Sequence, residues 1–142
     1  MYDKYLEMIE LELAILIRRI TNATNRKLIG VIDRSAYLLL HQIATYGAAG
    51  VKALASEFQL DISTVSRQAA ALEQKGYLYK IPDPTDGRAY SFQITESGLK
   101  VLMETKQIRM NIIEETTKDW TPEEREMLGK LLRKWNQSVI GK

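Results

Sequence analysis

The sequence predicts a mainly α fold (α+β) in which helices surround one small β-hairpin. Apolar residues recur at helical spacing through most of the 142 residues. Between Tyr77 and Ile94 the period changes to two β-prone runs, and these flank Pro82-Asp83-Pro84-Thr85-Asp86-Gly87-Arg88, a stretch dense in turn formers. At ~150 residues per domain the length fits a single domain, 1–142, with a substantial core.

The first helix runs from Tyr2 to roughly Thr21. Leu6, Ile9, Leu13, Leu16 and Ile20 mark one face, and Leu11, Ile15 and Ile17 widen it beyond a single seam. So broad a stripe suggests a helix shared with a second subunit. The polar stretch Thr21-Asn22-Ala23-Thr24-Asn25-Arg26-Lys27 has no apolar period and reads as a break. Asp33 is a good N-cap for a second helix carrying Tyr37, Leu40, Ile43 and Ala44 and stopping at Gly47. Gly50 opens a short helix with Val51, Leu54, Ala55 and Phe58 on one face. Asp61 can cap the next helix, which ends near Gly76.

In the hairpin, Pro84 suits the second position of a type I turn and Gly87 the positive φ that follows. Thr95 then caps a long helix with Leu99, Leu102, Met103, Met110, Ile112 and Ile113. Thr121-Pro122-Glu123-Glu124 starts the last helix with a cap, a first-position proline and a capping box. Met127, Leu128, Leu131, Leu132, Trp135 and Val139 follow on a wide apolar face. A short helix, a tight turn and a second helix followed by a hairpin is the winged helix-turn-helix arrangement.

Composition excludes several classes of function. The absence of Cys removes disulfides, thiolate nucleophiles and Cys-based metal sites, and the single His leaves no His pair. No cofactor and no metal are expected. There is no Gly-rich phosphate loop and no ordered triad, so the chain does not read as an enzyme. Glu114 and Glu115 read as a solvated helix face. No apolar run approaches the ~20 residues that span a bilayer, and MYDKYLEMIE is no signal peptide, so the expected location is the cytoplasm, with no membrane partner.

The helix from Ile62 to Lys75 carries the functional argument. With Val65 central to the buried face, Ile62, Ala69 and Leu72 fall within roughly 60° of it at 100° per residue. Ser63, Arg67, Ala70 and Gln74 lie opposite, with Thr64 and Ser66 on the flanks. Short hydroxyls and one Arg suit entry into a major groove, where hydroxyls meet phosphates or base edges, Arg67 can pair with guanine or phosphate, and Ala70 could touch a thymine methyl. In the hairpin, Asp86 lies two residues before Arg88, on the same side of an extended strand, and can hold its guanidinium in a fixed direction. An Arg so held at a projecting tip can enter a narrow minor groove.

Beside these residues the sequence resembles the MarR family of transcriptional regulators. The matching pieces are Leu60-Asp61-Ile62-Ser63-Thr64-Val65-Ser66-Arg67, Leu72-Glu73-Gln74-Lys75-Gly76-Tyr77-Leu78, Asp83-Pro84-Thr85-Asp86-Gly87-Arg88-Ala89 and Ile94-Thr95-Glu96-Ser97-Gly98, in family order and spacing. With the flanking helices, the resemblance covers nearly the whole chain. It implies a winged helix-turn-helix lobe (47–94) and a helical dimerisation region formed by the N- and C-terminal helices (1–46 and 95–142). It implies a homodimer that binds pseudo-palindromic double-stranded DNA as a repressor. In that reading Ser63, Thr64, Ser66 and Arg67 make major-groove and phosphate contacts, and Arg88, oriented by Asp86, enters the minor groove.

The chain lacks the Cys of peroxide-sensing members and the ligand set of zinc-sensing ones; His41 reads as a packing or surface residue. Many members bind small aromatic or phenolic effectors, so such an effector is an expected partner, although no residue here identifies one. Tyr37, His41, Arg18 and Arg19 lie in plausible regions for it but fit core or surface roles equally well.

The formal charge is +2, from 20 basic and 18 acidic residues. The 47–94 region is neutral, which keeps a second reading open: a winged-helix protein-interaction module without DNA binding.

Overall fold

The computed structural model describes residues 3–27, 32–82 and 89–138. The elements in chain order are α1 (Lys4–Lys27), α2 (Arg34–Tyr46), α3 (Val51–Phe58), α4 (Ile62–Gln74), β1 (Leu78–Pro82), β2 (Tyr90–Ile94), α5 (Glu96–Thr116) and α6 (Pro122–Gln137). The chain divides into two compact units, residues 1–106 and 107–142.

Most helix boundaries follow the local chemistry. Asp33 Oδ1 accepts the Ala36 amide at 2.9 Å and starts α2. Gly47, at φ 96°, ends α2, its amide donating to the Ile43 carbonyl. The expected break at residues 21–27 is not one, because α1 continues to Lys27. That stretch holds no Pro or Gly, and the Thr21 hydroxyl donates back to the Ile17 carbonyl at 2.9 Å, a bond compatible with helix. Polarity without a breaker does not end a helix that is already nucleated. Tyr2 and Val139 lie outside the described residues.

In the first unit, α2, α3 and α4 pack with the hairpin. The core takes Leu39, Leu40 and Ile43 from α2, Leu54 and Ala55 from α3, Val65, Ala69 and Leu72 from α4, Leu78 and Phe92 from the strands, and Val101 and Leu102 from α5, together with Ile32. The strands are antiparallel, with Leu78 opposite Ile94, Lys80 opposite Phe92 and Pro82 opposite Tyr90. Ala49, ahead of α3, forms a bridge with Phe92, exchanging both backbone hydrogen bonds (2.9 and 3.2 Å). This pins the entrance of α3 to the stem of the hairpin.

Thr95 ties the start of α5 to the turn between α4 and β1. Thr95 Oγ1 accepts the Gly98 amide as the cap of α5 and donates to the carbonyl of Gly76, just past α4. The Thr95 amide in turn donates to the Tyr77 carbonyl. Gly76 takes φ 84°, so the chain turns tightly from α4 into β1.

In the second unit, Thr121 and Glu124 close the capping box and Pro122 opens α6. Arg125 returns to the end of α5, donating from Nε to Thr117 Oγ1 (3.0 Å) and from Nη2 to the Thr117 carbonyl (2.9 Å). None of the α6 residues is buried; Met127, Leu131, Leu132 and Trp135 stay exposed. On α1 the same holds for Leu6, Met8, Ile9, Leu11, Leu16 and Ile17.

Candidate nucleic-acid interface

The turn between α3 and α4 is Gln59-Leu60-Asp61. Gln59 adopts the left-handed conformation (φ 55°) and its amide donates to Ser56, while the Leu60 amide donates to Ala55. This closure ends α3 tightly enough for α4 to cross it, and the two helices pack against each other.

Helical periodicity then sorts the side chains of α4. Val65, Ala69 and Leu72, at steps of four and three, are buried, and each removes apolar surface from water at about 25 cal/mol per Å². Their burial fixes the roll of the helix. Ser63, Arg67, Ala70 and Gln74 consequently face solvent, with Thr64 and Ser66 half-buried on the flanks. Four of the site residues expected from sequence therefore share one accessible surface of α4. Arg67 Nη2 lies 3.5 Å from Thr64 Oγ1, a long hydrogen bond that leaves most of the guanidinium's donors for another partner. Arg67 is the only basic residue within α4, and the acidic Glu73 lies near its far end.

Two expectations for this helix are corrected. Asp61 has the extended backbone of an N-cap (φ −66°, ψ 145°), but its side chain makes no capping hydrogen bond. The carboxylate is exposed and keeps its hydration, while its backbone carbonyl accepts the Val65 amide and so begins the helix without it. Ile62 is not part of the buried stripe; it is 51% exposed. A helical wheel gives its angle but not its height. Side chains lean toward the helix N-terminus, so one in the first turn extends past the layer that covers Val65 and Ala69.

Asp86 and Arg88, with Pro84 and Gly87 of the expected turn, lie outside the described residues. The paired stem that carries them is defined from Pro82 opposite Tyr90 downward. Here the structure brings together residues that sequence reasoning had missed. Lys80 Nζ sits 4.5 Å from the centre of the Tyr90 ring and 3.7 Å from Glu73 Oε1, linking the far end of α4 to both strands. Lys80 and Tyr90 are diagonal neighbours across the strand pair, a contact that follows once the register is known, whereas the Glu73 link depends on the angle of α4 and has no fixed spacing.

Elsewhere, His41 is exposed, its ring 6.2 Å from that of Tyr37. Arg18 and Arg19 are exposed on α1. Among the described residues, no group of three or more His, Cys, Asp or Glu could hold a metal ion, and no helix is long and apolar enough to cross a membrane.

Comparison with known proteins gives the same architecture and a family. The chain is 46% identical over 135 residues, 94% of each protein, to the uncharacterized HTH-type transcriptional regulator YxaD of Bacillus subtilis. Its fold matches a MarR family protein from Bacillus stearothermophilus with a TM-score of 0.81 at 18% identity, over 96% of both chains. It also matches the PcaV transcriptional regulator from Streptomyces coelicolor, solved in complex with its natural ligand, with a TM-score of 0.71 at 20% identity, over 92% of this chain and 95% of that one. A family model described as MarR family matches residues 32–90, which run from the start of α2 into β2. With a tight-turned helix pair, a hairpin beside it and a full-length relative of this identity, the chain belongs to the MarR family of transcriptional regulators.

Proposed function

We propose that this regulator binds a pseudo-palindromic operator as a homodimer in the cytoplasm and represses transcription there. The observation that carries the reading is the solvent face of α4, where Ser63 and Arg67 lie opposite the buried Val65 and Ala69 with Thr64 and Ser66 beside them. A helix held by one face and polar on the other, with hydroxyls and an Arg in its first two turns, is shaped to enter a major groove. The hydroxyls bind phosphates or base edges, and Arg67 pairs with guanine or phosphate. Arg88, oriented by Asp86, completes the site in the minor groove next to it.

In this proposal residues 47–94 form the DNA-binding lobe, and residues 1–46 and 95–142 form the dimerisation region. The exposed apolar faces of α1 and α6 supply a reason for pairing, since monomeric proteins rarely leave such continuous faces in water. Two recognition helices on a two-fold axis read half-sites about 10 bp apart, centre to centre. Release by a small aromatic or phenolic effector is the regulatory part of the proposal; PcaV, which shares the fold, has been solved with its natural ligand.

The test is a gel shift on the cognate operator. Arg67→Ala should weaken binding roughly tenfold or more and relax sequence preference at one position, and Arg88→Ala should weaken it without unfolding the protein. Unchanged affinity in both variants would rule out this docking.

A further inference from the structure

Ile62 lies outside the buried core of the first unit. It opens α4 at 51% exposure while Val65 and Ala69, on the same side of the helix, are completely buried. Helix starts favour hydroxyls, carboxylates and proline, so a β-branched apolar residue there does not serve the helix either. Its neighbours Asp61, Ser63, Thr64 and Ser66 are polar, so within the first turn of α4 Ile62 is the one exposed aliphatic side chain, with Leu60 exposed in the turn that precedes the helix. Because Cα–Cβ bonds tilt toward the N-terminus, that side chain leans forward past the helix end. In the docking proposed above, this end of the helix meets base edges first.

The floor of a major groove offers hydrogen-bond donors, acceptors and one apolar group, the C5-methyl of thymine. We infer that Ile62 is a specificity residue that packs on a thymine methyl in each half-site. The inference rests on the operator-binding reading and adds the base that the first turn selects. Ala70, whose methyl could make a similar contact, lies eight residues later, about 12 Å further along the helix axis, and so meets a different base step. Ser63 and Arg67 supply the polar half of the readout, and Ile62 the part that a cytosine or a purine at that position cannot match.

The experiment uses the full chain and a duplex selected by it from a random-sequence pool. Each thymine of one half-site is replaced in turn by uracil, which keeps the base pair and removes only the methyl. Fluorescence anisotropy of the wild-type chain should show a loss of about fourfold at one thymine, the worth of one buried methyl-sized group. Ile62→Ala should lose a similar factor on the thymine duplex and be indifferent to uracil at that position, while Ile62→Val keeps the sensitivity. Circular dichroism of Ile62→Ala should match the wild type, as expected for an exposed side chain. If uracil is tolerated at every position, or if Ile62→Ala keeps the full penalty, the contact is wrong although operator binding stands. If the selection yields no preferred sequence, operator binding itself is wrong and the contact falls with it.

Discussion

At the scale of single residues, Gly98 shows how closely the start of α5 approaches the hairpin. A Cβ there would stand 2.7 Å from Ile94 Cγ1 and overlap the carbonyl oxygen of Tyr77. That oxygen already accepts the Thr95 amide, so it cannot retreat without breaking a bond at the cap of α5. Gly98→Ala should therefore destabilise the chain by about 1–3 kcal/mol, read as a lower midpoint in urea with an unchanged slope. A variant as stable as the parent would rule out so close an approach. Ser63 and Arg67 were legible from sequence because a period of 3.6 places them opposite Val65. The exposure of Ile62 was not, since a wheel carries no height along the axis. Nor was the idle carboxylate of Asp61, since a residue type suited to capping does not by itself dictate which way the side chain turns.

At the scale of elements, boundaries were readable where a specific donor meets a specific acceptor. Asp33, Thr95 and Thr121 each cap the helix they were expected to cap. The end of α1 is not legible in polarity, because a polar stretch without Pro, Gly or a competing cap does not stop a helix, and α1 runs on to Lys27. The bridge between Ala49 and Phe92 was beyond reach, being one residue long with no repeat to reveal it. The capping box of α6 carries a prediction of its own. Thr121→Ala removes the acceptor for the Glu124 amide and should cost about 1 kcal/mol, measurable by thermal unfolding. No change in midpoint would mean that Pro122 and Glu124 set the start of α6 without it.

At the scale of the molecule, charge separates the two readings of the winged lobe. The protein carries a formal +2, and the few cations near the proposed interface leave room for only a handful of phosphate contacts. Each contact contributes about −0.9 to the slope of log affinity against log salt, so a dimer using about four should show a slope of roughly −3 to −4. A slope near zero would instead favour a lobe that binds protein. The neutral balance thus leaves specificity to well-placed side chains more than to attraction at a distance.

The bare face of α6 has a further bearing on how such a regulator would act in a cell. α6 has no buried residue, so in the proposed dimer its apolar face would be stabilised by the second copy. If the proposed pairing is weak at cellular abundance, operator occupancy rises with nearly the square of the amount of protein made. Gene dosage and turnover would then tune repression as directly as any effector, and a modest rise in synthesis could shut a promoter that half that amount leaves open.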